Sequence, residues 1–324
     1  MRTMVVQQHI DLRGQAGLPA FISEAGERAA FRFVEFFTAN IRNRNTRESY
    51  GRAVRDFFRW CELRNLRLED LNAVVVASYV EHLELECGYA KPTVKQNLAA
   101  IRVTLDYLVS GGILSMNPAS SVRGPKYSIK RGKTPVLSAE QTRQLLDSID
   151  TTTIPGLRDR ALIATMVYTF SRVSAVLGLK VEDYFPSGKR WKLRLMEKGG
   201  KYNETYVHHN AETYLDDYLD AAGIRNDKKS PLFRSLDRRR LLSARSMSRT
   251  DALRMVKKRA SAASLPCSIS NHTFRATGIT TYLKNGGRIE IAQQIAGHES
   301  ARTTGLYDRR DDEVSLDEIE RILI

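Results

Sequence analysis

The stretch Asn271–Arg310, NHTFRATGITTYLKNGGRIEIAQQIAGHESARTTGLYDRR, decides how the rest of the chain is read. It carries His272 and Arg275 three positions apart, His298 directly after Gly297, and Tyr307 nine residues further on. Between them the apolar residues recur at helical spacing: Ile279, Tyr282 and Leu283, then Ile289, Ala292, Ile295 and Ala296. Gly286-Gly287 and Gly297 stand where glycine commonly closes a helix. The titratable residues therefore fall at helix starts and turns, while the helix bodies are built for a core. One helical turn places His272 and Arg275 on the same side, which suits two groups gripping one phosphate.

The surrounding chain narrows the class. A length of 324 residues suggests two domains, each able to bury a core. Hydrophobic residues make up 42% and charged residues 27%, ordinary for a globular protein, but the net charge of +14 calls for a polyanionic partner. No apolar run reaches the length of a membrane span. The opening MRTMVVQQHIDLRG has only a brief Met-Val-Val run, so no signal peptide is expected. A cytoplasmic protein acting on nucleic acid follows. Cys61, Cys87 and Cys267 are far apart and lack metal-ligand spacing, and are expected to be reduced and structural.

Residues 1–26 hold Gly14, Gly17, Pro19 and Gly26 without sustained periodicity and are expected to form a loose arm. Residues 27–114 predict a four-helix bundle. Its inward stripes are Phe31, Val34, Phe37 and Ile41; Tyr50, Val54, Phe57, Phe58 and Cys61 after an Asn45-Thr46 cap; Leu71, Val75, Tyr79 and Leu83 within 68–86; and Val94, Leu98, Ile101, Leu105 and Leu108. Arg42, Arg44, Arg47, Arg52 and Arg55 gather on the second helix and just before it, and Lys91 and Lys95 open the fourth. Such charges often form only a solvated face. With this net charge they are read as phosphate contacts.

Residues 115–136 form a Pro-, Gly- and Ser-rich linker with five basic residues (Arg123, Lys126, Lys130, Arg131, Lys133) and no acidic one from 123 to 133. It is read as a tether closing on a duplex. The second domain, 137–310, starts with a capping box at Ser138 and Gln141. An apolar helix after Arg158-Asp159-Arg160 runs into Phe170-Ser171-Arg172. An Arg in so apolar a setting needs an anion, either an internal carboxylate or a bound phosphate. Residues 189–208 alternate as two strands about a Gly-Gly turn flanked by Lys198 and Lys201. His208-His209 is rejected as a metal pair, because neighbours on a strand point to opposite faces. Residues 225–259 hold thirteen Lys or Arg against three Asp, with Arg238, Arg239 and Arg240 in a run. This is a candidate phosphate track, and its predicted helix 248–260, with Leu253 and Val256 inward, could lie in a major groove. Residues 311–324 end in an apolar stripe, Leu316, Ile319, Ile322 and Leu323.

The ordered set of an upstream Arg, a hairpin Lys, H-x-x-R, G-H and Tyr resembles the tyrosine recombinase (phage integrase) family. The resemblance spans most of residues 138–310, and the helical bundle resembles the family's N-terminal SAM-like core-binding domain. It implies a mainly α fold with a small β-sheet, in which the bundle precedes an α+β catalytic domain. It also implies that Arg172, Lys198, His272, Arg275, His298 and Tyr307 form the catalytic set, and that Lys198 rather than Lys201 enters the site. The apolar stripe of 311–324 could fold back on its own domain; in the family such a tail forms a helix that docks into a neighbouring protomer, which is the expectation the resemblance adds. One position departs: the family commonly has Glu three residues after the first Arg, and this chain has Ala175. Glu182 and Asp183 are the candidate substitutes. The bases for DNA contact are Arg44, Arg47, Lys91, Lys95, Arg123, Lys126, Arg131, Lys133, Arg239 and Arg240.

The chemistry follows from these side chains. A phenol with an ordinary pKa near ~10 is a weak nucleophile at neutral pH. Attack on a phosphodiester needs charge neutralised on the non-bridging oxygens and a proton for the leaving oxygen. Two guanidinium forks, Arg172 and Arg275, meet the first need. The resemblance makes Lys198 the acid for the 5′ oxygen, with His272 and His298 assisting. It implies a 3′-phosphotyrosyl link that keeps the bond energy, so no cofactor, metal or ATP is expected. It also implies a homotetramer on double-stranded DNA, with a dimer at each site. The alternatives are a topoisomerase IB-like nicking and closing enzyme, and a non-catalytic DNA-binding protein on the same fold.

Overall fold

Helices form here where apolar residues recur at helical spacing and have a face to bury, and several start at a side-chain cap. The computed structural model describes residues 18–128, 132–196, 200, 202–309 and 320. Lys198, Lys201 and Arg131 lie outside the described residues, as do the arm through residue 17 and the tail but for Glu320. The chain divides into two compact units between Ser128 and Ile129. The described residues are mainly helical with two small antiparallel sheets.

The first unit comprises α1 (Ala20–Ser23), α2 (Glu27–Glu35), α3 (Arg44–Glu62), α4 (Ala73–Glu81) and α5 (Lys91–Ser110). The inward face of α2 is not the expected one. Phe37 is buried as read, but Phe31 is 54% exposed, and Ala29, Ala30, Phe33 and Phe36 are buried beside Phe37. Both faces of α2 are apolar, and ring packing decides between them. Phe33 sits 5.0 Å from Phe37 and 5.9 Å from Phe58, which stacks on Phe21 at 4.8 Å. A π-helical turn over Phe36–Asn40 then admits two adjacent phenylalanines to the core. The cap of α3 is Asn43, two residues earlier than expected, accepting from the Thr46 amide at 3.2 Å.

The expected helix over 68–86 is broken. Asn72 accepts from the amides of Val74 and Val75 and starts α4 afresh after a single 3₁₀ turn. Val94, Leu98, Ile101, Leu105 and Leu108 of α5 are buried as read. No cysteine is in a disulfide; Cys61 is buried, but Cys87 and Cys267 are exposed, so only Cys61 serves the core.

In the second unit, α6 (Ala139–Asp147) carries the full Ser138/Gln141 capping box. The central helix α7 (Ile154–Tyr168) is buried on nearly all sides from Ala161 to Val167. A short α8 (Val173–Leu177) follows, then strands β1 (Tyr184–Ser187), β2 (Arg190–Met196) and β3 (Tyr202–Tyr206) in one antiparallel sheet of that order. The pair β2–β3 is the expected hairpin, with Leu193 and Leu195 inward. Strand β1 was not foreseen: Pro186 argues against a strand except at a sheet edge, which is where β1 lies. Then come α9 (His209–Ala221), β4 (Arg234–Leu236), β5 (Leu242–Ser246), α10 (Arg249–Ala262), α11 (Asn271–Lys284), α12 (Ile289–Ala296) and α13 (Ala301–Gly305). On α10 the inward residues are Ala252, Met255, Val256 and Ala260; Leu253 is 37% exposed, contrary to expectation. Buried Asp159 explains part of the basic surplus, holding Arg158 and Arg259 between 2.6 and 3.0 Å.

Helices α7 and α11 meet at Gly278. A Cβ there would lie 2.0 Å from the Val167 carbonyl oxygen and 2.6 Å from the Phe170 ring. Backbone cannot yield as a flexible side chain does. Gly278→Ala is therefore expected to cost about 3 kcal/mol or more. The check is a lower urea midpoint at unchanged slope for the transition of this unit.

Candidate active site

Three short devices bring the polar residues of the opening stretch to one place. Helix α11 begins with Ser270 bonded reciprocally to Thr273, which sets His272 in its first turn and Arg275 one turn later. Helix α12 ends at Gly297, whose left-handed φ of 59° turns the chain so that His298 faces inward. Helix α13, capped by Ser300, then leads into Tyr307, whose backbone oxygen accepts from Thr280 Oγ1 of α11 at 2.8 Å. The Tyr307 ring packs with Phe170, Ala276, Ile279, Leu283, Ala292 and Ala296.

The Tyr307 hydroxyl and His272 Nε2 are 2.6 Å apart. His298 lies parallel to the Tyr307 ring at 5.8 Å and bonds through Nδ1 to Thr304 Oγ1 at 2.9 Å. Arg275 is 1% exposed and donates to the carbonyls of Phe170 and Ala296, the latter at 2.8 Å. Phe170 takes a positive φ of 53°, rare for an aromatic residue, and this turns its carbonyl to the guanidinium. Two residues on, Arg172 is half-buried at the N-cap of α8.

Electrostatics tie the group together. Burial pushes the His298 pKa down to about 3, with Arg275, Arg172 and His272 adding to the effect. His272 is open to solvent as a residue, but its ring is crowded on the Tyr307 side. That desolvation, then the charges of Arg275 and Arg172, hold its pKa below the usual imidazole value. Both rings are thus neutral near pH 7. With Nε2 unprotonated, His272 can take the proton of the Tyr307 hydroxyl.

A folded-state pKa below the unfolded value means that the unfolded chain binds the proton first. His298 therefore contributes stability that is present above the ordinary imidazole pKa of ~6.5 and lost as pH falls towards about 3. His298→Gln is expected to flatten the stability curve in that window. The difference in slope approaches about 1.4 kcal/mol per pH unit, read from urea midpoints of both proteins across that range.

Arg172, His272, Arg275, His298 and Tyr307 are thus brought together, while Lys198 lies outside the described residues. The hairpin itself is tied to the site through Asn203, which donates to the Ile295 carbonyl at 3.0 Å, one residue before the carbonyl that holds Arg275. The substitutes considered for the missing Glu serve elsewhere. Glu182 sits between Lys229 at 2.9 Å and Lys180 at 3.7 Å, and Asp183 accepts from the Lys180 amide. His208 and His209 are not on a strand; His208 caps α9, and its ring stacks on Tyr168 at 4.1 Å, with the His209 ring tilted against it at the same distance. Thr280, Thr304 and the turned Phe170 went unnoticed in the sequence. Only Thr304, one helical turn before Tyr307, left a local signal.

The basic candidates divide by surroundings. Lys91, Lys95, Arg123, Lys126, Lys133, Arg239 and Arg240 are exposed. Arg44 is exposed beside Glu48 at 2.9 Å. Arg47 instead holds the Ile41 carbonyl with two nitrogens, at 3.0 and 2.7 Å, closing the end of the π turn.

Residues 135–313 match the model of the phage integrase family, and residues 32–112 match that of the phage integrase N-terminal SAM-like domain. The chain is 28% identical over 269 residues to the tyrosine recombinase XerD of Shewanella oneidensis, covering 81% of this chain and 85% of the relative. Its fold is similar to that of the site-specific recombinase XerH in a post-cleavage complex with a palindromic difH substrate. The TM-score is 0.67 at 19% identity, over 81% of this chain and 75% of that one. It is similar too to a lambda integrase tetramer bound to a Holliday junction, with TM-score 0.65 at 16% identity, over 97% of this chain and 89% of that one.

Proposed function

The chain belongs to the phage integrase family, and from that premise we propose that it is a site-specific DNA recombinase that cleaves and rejoins strands through a 3′-phosphotyrosyl link. The observation that carries this reading is the 2.6 Å approach of the Tyr307 hydroxyl to His272, with Arg172, Arg275 and His298 around it. Tyr307 attacks the scissile phosphorus while His272 receives its proton. Arg172 and Arg275 balance the charge that grows on the non-bridging oxygens, and His298 donates to the same phosphate. Lys198, which falls between β2 and β3 in the sequence, delivers the proton to the departing 5′ oxygen. The 5′ hydroxyl of a partner strand then attacks the phosphotyrosyl phosphorus, and the Tyr307 phenol leaves as the new phosphodiester forms. Exposed bases on both units hold the duplex: Lys91, Lys95, Arg123 and Lys126 in the first, Lys133, Arg239 and Arg240 in the second. Among the described residues no helix is long and apolar enough to cross a membrane; we infer from the proposed work on DNA a place in the cytoplasm, with the nucleoid.

One cleavage per protomer exchanges one strand, so recombination of two duplexes calls for four protomers, as in the lambda integrase tetramer. The test uses sites selected by binding from random duplexes, then nicked so that the cut strand diffuses away. A covalent adduct mapped to Tyr307 and strand exchange between two duplexes are the expected results. An adduct without exchange would mean a nicking and closing enzyme; binding without an adduct would mean a non-catalytic DNA-binding protein.

A further inference from the structure

Residues 132–137 lie against the segment that carries Tyr307 and bracket it from both sides. Before Tyr307, the Gly132 amide donates to the Leu306 carbonyl at 2.9 Å. After it, Arg309 reaches back and donates through one terminal nitrogen to the carbonyls of Gly132 and Thr134, the latter at 3.0 Å. Val136 packs against the small cluster that contains the Tyr307 ring. The Leu137 amide donates to Thr277 Oγ1 of α11 at 3.0 Å, so this stretch is anchored to the helix bearing His272 and Arg275. The approach is one that only glycine permits: a Cβ on Gly132 would lie 2.7 Å from the Leu306 carbonyl oxygen.

We propose that residues 132–136 form a strap that positions the nucleophile, with Arg309 as its clasp. Short helical segments open more easily than long ones, and α13, which leads into Tyr307, has only five residues. A reacting atom displaced by about 1 Å loses on the order of a hundredfold in rate. The strap converts a segment that would otherwise fray into one that presents Oη to His272 in a single geometry. Arg309 and Gly132 are thus positioning residues, acting through Tyr307 without touching the phosphate. The inference rests on the reading of Tyr307 as nucleophile.

Amide hydrogen exchange over residues 303–308 tests the strap without reference to activity. Arg309→Ala is expected to speed exchange there roughly tenfold or more, as two hydrogen bonds from a charged donor are lost, with the rest of the second unit unchanged. Unchanged exchange at 303–308 overturns the proposal. On the nicked duplex, Arg309→Ala should form adduct roughly ten- to a hundredfold more slowly at unchanged DNA affinity. Arg309→Lys should recover part of the loss. Gly132→Ala, which presses on Leu306 from the other side, should reproduce the pattern if Arg309→Ala folds poorly.

A third arm separates positioning from general structure. In a Tyr307→Phe background, hydrogen peroxide replaces the phenol as nucleophile. Adding Arg309→Ala should leave peroxide cleavage unchanged. An equal fall there would place Arg309 at the phosphate or in the fold and sink the strap. If wild type forms no adduct while exchange at 303–308 still quickens in Arg309→Ala, the nucleophile reading has failed and the strap has not.

Discussion

Tyr307→Phe is expected to form no adduct with the nicked duplex, a loss of at least about 10⁴-fold, while binding the same DNA as wild type does. The substitution removes one oxygen. The ring stays within its cluster of Phe170, Ala276, Ile279 and Leu283, and its backbone stays bonded to Thr280. The hydroxyl's bond to His272 is lost, which costs about 1 kcal/mol of stability. A folded, DNA-binding but inert variant is therefore the outcome to look for, by gel mobility for binding and by a denaturing gel for the adduct. Residual adduct would move the nucleophile to another side chain. Tyr282, 5.9 Å from Phe170 by ring centroids, would be the first to examine.

The legibility of this chain in its sequence was uneven for physical reasons. Where a helix has one apolar stripe, as in α5 and α6, periodicity placed its inward residues. Where two faces are apolar, as with Phe31 against Phe33 or Leu253 against Met255, the choice rests on rings and side chains distant along the chain. The ordered set from Arg172 to Tyr307 was visible as a pattern of types and spacings. What holds it was not. The turned carbonyl of Phe170, the grip of Thr304 on His298 and the return of Arg309 to Gly132 are long-range contacts of common residues. Arg47 shows the reverse case: its charge suggested phosphate, but its guanidinium closes a helix end.

Arg275→Ala is expected to lose both activity and stability, and the two losses have separable causes. Removing a preorganised donor to a developing anion costs on the order of 10²–10³ in rate. Arg275 offers a planar fork to that charge, so adduct formation should fall by at least about 10³-fold. The side chain is also 1% exposed and binds the carbonyls of Phe170 and Ala296. Leaving two buried acceptors unpaired costs about 1–3 kcal/mol each, so the urea midpoint should drop well below wild type. Arg172, half-buried at a helix start, gives the contrast. Arg172→Ala should lose cleavage to a similar degree with a much smaller shift in midpoint and DNA affinity largely kept. Arg275→Lys keeps the charge but not the fork, and should fold better than Arg275→Ala yet remain roughly a hundredfold slow. If Arg172→Ala loses DNA affinity in step with cleavage, the arginines bind the duplex as a whole rather than the phosphate in transition, and the assigned roles are wrong.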